Sequence, residues 1–84
     1  MELRSEITQR LRRSRNFLGL IESLEHEADQ VQGAGERSEW LFQLGEVCEE
    51  VFLRKDRAML NYQKAFKVNP QNTRAIQRAR SIYR

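Results

Sequence analysis

Apolar residues recur along this chain at spacings of three and four, the period of helices with one buried face. Leu3, Ile7 and Leu11 predict a helix over 2–13. After a turn at 14–16, Phe17, Leu20, Ile21, Leu24, Ala28 and Val31 share one stripe and predict a second over 17–31. Gly33 and Gly35 in "QGAGERSE" separate it from a third over 37–53, with Ser38 expected to cap it and Trp40, Leu41, Leu44, Val47, Cys48 and Val51 on its apolar face. "LRKD" is a short turn in which Asp56 is the expected N-cap of a fourth helix over 57–68. Pro70 stops that helix, because proline disfavours helical geometry in the residue before it. A fifth runs from Gln71 to the last residue, with Ala75, Ile76, Ala79, Ile82 and Tyr83 apolar. Few β-branched runs occur, so no sheet is expected. Short loops between such helices make neighbours antiparallel, which predicts an all-α row of helical hairpins.

The pattern also repeats at long range. Leu41-x2-Leu44-Gly45-x2-Cys48 recurs as Ile76-x2-Ala79-Arg80-x2-Tyr83, 35 residues on. Backward by 37, Leu3, Ile7, Thr8 and Leu11 match Trp40, Leu44, Gly45 and Cys48, while Ile21, Ala28 and Val31 match Ala58, Ala65 and Val68. Gly45 is expected to let the third helix approach its partner, with Ala58 and Ala65 forming a shallow face whose gap Tyr62 fills. Pro70 sets the turn into the next unit.

Leu41, Leu44, Gly45, Cys48, Ala58, Tyr62, Ala65 and Pro70 together resemble a tetratricopeptide repeat. The departures are Trp40, one place before the usual tryptophan, Cys48 at a tyrosine position, Glu25 at the aromatic position of the first unit, and Arg80 for the last glycine. The resemblance implies one domain over 1–84: a degenerate repeat at 1–33, a second at 37–70, and at 71–84 the first helix of a third or a capping helix. It implies a right-handed superhelix of about two and a half repeats, with a concave groove lined by the first helix of each. The groove rows then fall on Glu39, Phe42, Glu46 and Glu49, on Arg74, Gln77, Ser81 and Arg84, and on Glu2, Ser5, Gln9 and Arg12. The expected function is a protein-binding scaffold. Its groove is acidic around one exposed aromatic, Phe42, and suits a peptide with basic and apolar character. Glu46 stands where a carboxylate-gripping subtype has asparagine, so an acidic tail is not the expected ligand.

Charge sharpens this picture. Residues 1–16 carry +3, residues 17–53 carry −8 and residues 54–84 carry +8. Such blocks mean internal complementarity or a polarised surface. Nucleic-acid binding through "RLRRSR" and Arg74, Arg78, Arg80 and Arg84 is the competing class. It is disfavoured by the acidic middle and by the lack of interleaved aromatics. The terminal helix ends without a cap, and Leu60 lies opposite Ala58. Leu60, Ile82 and Tyr83 are therefore expected to support self-association, unless the chain is part of a longer array.

Little in the sequence points to reaction chemistry. Cys48, the single cysteine, sits on an apolar face and reads as a structural thiol. His26, the single histidine, falls near a polar side. No glycine-rich phosphate loop is present. An enzyme, a metal and a cofactor are not expected. The longest apolar run, 17–21, is too short to span a bilayer, so no membrane partner is expected. One cysteine suits a cytoplasmic, reducing compartment.

Overall fold

A computed structural model of the chain describes residues 3–51 and 53–83; the side chains of Leu3, Arg4, Phe17 and Tyr83 lie outside the description. The described residues form five helices: α1 (Leu3–Arg13), α2 (Phe17–Ala28), α3 (Ala34–Glu50), α4 (Lys55–Val68) and α5 (Thr73–Tyr83). Helices fill the chain as the apolar spacing requires, and no described residue is in a strand. The body is 20 Å thin against 34 Å and 33 Å in the other directions, about two helix diameters. The most extensive helix pair is α3–α4. Helix α5 leans on α4, and α1 rests more on α3 than on α2.

Helix α3 starts earlier than the capping pattern predicts. Gly33 takes φ 87°, a left-handed turn that suits glycine, and the helix begins at Ala34. Ser38 is therefore not a cap. It is buried inside α3, and its hydroxyl donates to the Ala65 carbonyl at 2.7 Å. Asn72 Nδ2 donates to the same hydroxyl at 2.9 Å, tying the α4–α5 loop to α3. Asp56 is likewise not the N-cap of α4, a place held by Arg54. It stands in the first turn, where a carboxylate is favoured by the helix dipole, and binds the Arg54 guanidinium. Asn16 caps α2 by accepting from the Gly19 N–H at 3.2 Å.

The core runs through both hairpins. It includes Ile7, Leu11, Ile21, Leu24, Ala28, Leu41, Phe42, Leu44, Val47, Cys48, Ala58, Tyr62, Ala65, Ala75 and Ala79. The Gly45–Tyr62 packing follows the sequence expectation. A Cβ built on Gly45 would lie 2.7 Å from Tyr62 Cε1 and 3.3 Å from the Ala58 carbonyl oxygen. Burial pushes the Cys48 thiol up to about 12, as suits an inert packed sulfur. Leu60 is half-buried, and Ile82, also half-buried, packs against the core. The Tyr83 side chain lies outside the described residues.

Candidate functional site

The charge blocks meet in space. Helices α3 and α5 run the same way, with Arg74 beside Glu39 and, one turn on, Arg78 beside Glu46 and Glu50. Between them lies a cleft of about 510 Å³ lined by Glu39, Phe42, Gln43, Glu46, Arg74, Gln77 and Arg78. Five of the expected groove residues thus share one cleft: Glu39, Phe42, Glu46, Arg74 and Gln77. Ser81 is exposed on α5 and does not line it. Ser5, Gln9 and Arg12 on α1 do not line it either, and Glu2 and Arg84 lie outside the described residues.

Phe42 is corrected from an exposed anchor to a buried one, at 5% exposure. Position 42 is one turn from Ser38 and three residues before Gly45, so it leans towards α4. There its ring meets that of Tyr62, with centroids 5.6 Å apart. The outer face of the ring is covered by Arg74, whose Cζ lies 4.6 Å from the centroid. Arg74 Nη2 also donates to Glu39 Oε2 at 2.7 Å. Both side chains of that ion pair are well exposed, so it contributes about 0–1 kcal/mol. The stacking adds about 0.5–1 kcal/mol. Arg74 is therefore a lid that little holds shut.

Glu49 is corrected in role. It accepts a hydrogen bond from Tyr62 Oη at 2.8 Å and lies 3.8 Å from Arg78 Nε, so it braces the wall and does not line the cleft. Burial and the Glu49 carboxylate raise the Tyr62 phenol, which stays protonated and donating at neutral pH. Arg78 is the hub of this wall. It donates to Glu50 and lies 3.5 Å from Glu46 Oε2. Its role and that of Gln43 escape the repeat rows. The signal for Arg78 is its four-residue spacing from Arg74, which places both on one face of α5 opposite the acids of α3.

The electrostatic balance also differs from a bare acidic groove. Among the lining residues Glu39 and Glu46 are matched by Arg74 and Arg78, so the excess of negative charge lies in the wall behind Arg78, at Glu49 and Glu50, and each cation is already engaged. The cleft can hold a further cation against Glu46 and, with Arg74 displaced, an apolar or cationic group on Phe42. Elsewhere, His26 is exposed on α2. Among the described residues no three His, Cys, Asp or Glu side chains are grouped to hold a metal. No helix of the described residues is long and apolar enough to cross a membrane. Comparison with protein-family models, with curated proteins and with solved structures finds no match.

Proposed function

We propose that the chain is a tetratricopeptide-like binding module whose α3–α5 cleft takes a segment of a partner protein bearing arginine or lysine beside an apolar side chain. The observation that carries this reading is the cleft itself, acidic at Glu39 and Glu46 and floored by the Phe42 ring under a loosely held Arg74. The tight Gly45–Tyr62 contact supports the repeat assignment. Arg74 occupies the place that a ligand cation takes, so the cleft holds a weak internal competitor.

The test is fluorescence anisotropy with a labelled helical peptide carrying arginines four residues apart and one leucine. Glu46→Gln is expected to weaken binding about fivefold or more, the scale of one charge-assisted hydrogen bond. Arg74→Ala removes the competitor and uncovers Phe42, so it is expected to tighten binding. Binding that favours an acidic peptide, or that ignores both substitutions, contradicts the reading. So does a steep loss with salt together with preference for DNA, which supports nucleic-acid binding instead.

A further inference from the structure

The end of the molecule that holds the starts of α2 and α4 carries a second surface of different chemistry. Helices α2 and α4 run in register, with Glu22 paired to Arg57 at 3.0 Å and Glu25 accepting from Asn61 Nδ2 at 2.9 Å. That pairing puts the starts of α2 and α4 at one end, with Leu18 in the first turn of α2 and Leu53 two residues before α4. These two are the exposed large apolar side chains among the described residues, Leu18 at 36% and Leu53 at 76%.

Leu53 is also held in an unfavourable backbone. Its φ is 54°, a left-handed geometry where glycine or asparagine is usual, in a turn closed by the Arg54 N–H donating to the Cys48 carbonyl at 2.7 Å. A bulky apolar residue is thus displayed at a strained turn without gaining burial. Exposed cations flank both leucines along the chain. Arg12, Arg13 and Arg15 lead into α2, Lys55 follows Leu53, and all four are exposed. The neighbouring acids are engaged: Asp56 by Arg54, Glu22 by Arg57 and Glu50 by Arg78.

We propose that this basic, leucine-tipped end docks on an anionic lipid bilayer, with Leu53 and Leu18 entering the headgroup boundary and Arg12, Arg13, Arg15 and Lys55 meeting lipid phosphates and carboxylates. Two separate leucines among cations suit a bilayer, where each side chain inserts independently and each cation adds attraction. The base stacking of single-strand binders needs aromatic faces, which leucines lack. The sequence expectation of no membrane partner rested on the lack of a spanning segment, which does not bear on surface attachment.

The experiment is co-sedimentation of the full chain with vesicles of phosphatidylcholine plus phosphatidylserine, and with phosphatidylcholine alone. Binding is expected to the mixed vesicles, falling about fivefold for each of Arg13→Gln and Arg15→Gln. Leu53→Gly is expected to weaken it about tenfold, the scale of one leucine leaving the boundary. The same substitution suits the φ of that turn, so the variant is expected to melt no lower than the parent, which separates lost docking from lost folding. Equal binding to both vesicle types, no binding, or binding indifferent to Leu53→Gly overturns the proposal. Tight binding to duplex DNA that survives Leu53→Gly, without vesicle binding, overturns it in favour of nucleic acid.

Discussion

The two hairpins are built on one spacing but close differently. At matched positions, 37 residues apart, the second hairpin has Gly45, Ala58 and Tyr62 where the first has Thr8, Ile21 and Glu25. The second therefore brings α3 against α4 so closely that a Cβ at 45 would strike the Tyr62 ring. The first cannot close in this way. Thr8 and Ile21 are larger, and α1 packs more on α3 than on α2. Glu25, at the place of the aromatic, is buried and turns outward from its own hairpin, binding Asn61 and lying 3.5 Å from Arg57 of α4. Periodicity fixes where helices form, whereas the size of two or three residues decides whether a hairpin packs on itself or leans on its neighbour.

Substitutions can break that contrast. Tyr62→Ala empties the space that Gly45 and Ala58 leave and is expected to cost about 3–5 kcal/mol in urea unfolding. Glu25→Ala, at the matched position, takes the buried carboxylate from Asn61 while Arg57 keeps Glu22, and is expected to cost less, about 1–3 kcal/mol. A reversed order of these two sinks the comparison. Gly45→Ala is expected to cost about 1–3 kcal/mol despite the better helix propensity of alanine, because the buried ring cannot yield. Thr8→Ala shortens a half-buried side chain instead of adding a Cβ, and is expected to cost about 1 kcal/mol or less in the same assay.

Alkaline pH sharpens the contrast further. Cys48 matches Leu11, which does not titrate. The folded thiol ionises near 12 against an ordinary value of 9.0, so the folded state retains its proton where the unfolded state loses it. Stability is then full below about pH 9 and falls as pH rises towards 12, by about 1.4 kcal/mol per unit at most for this one group. Tyr62, raised in the same direction, adds to the loss. Cys48→Ala is expected to flatten the part due to the thiol when melting is followed against pH. The smallest effect lies at Asp56, exposed and lowered to about 2 by the Arg54 side chain. Its contribution is present above the ordinary carboxylate range and lost as pH falls towards 2. Asp56→Asn is expected to remove that acid dependence from hydrogen exchange in the first turn of α4.

The sequence revealed much of this, and its failures have physical causes. Helices α1, α2, α4 and α5 lie close to their predicted spans because apolar spacing and Pro70 define them. Ser38 misled because a serine just past two glycines resembles a cap, while Gly33 had already turned the chain by its positive φ. Asp56 misled in the same way, since first-turn carboxylates and N-caps share a preference for the helix start. Phe42 falls on a groove row, yet its burial depends on Tyr62 beneath and Arg74 above, from two other helices. Periodicity on α3 alone cannot reveal those neighbours. The Arg78 hub needed the three-dimensional register of α5 on α3. Leu53 stood out neither as a core residue nor as a groove residue, because its exposure follows from a backbone angle.

The central functional claim, that the α3–α5 cleft receives a cationic segment, is tested most directly by amide NMR during titration with the arginine-bearing peptide. Saturable shifts are expected, centred on Glu39, Gln43, Glu46, Arg74 and Gln77, with tighter binding in Arg74→Ala. Shifts confined to α1 and the α3–α4 turn, or none at saturating peptide, would contradict it.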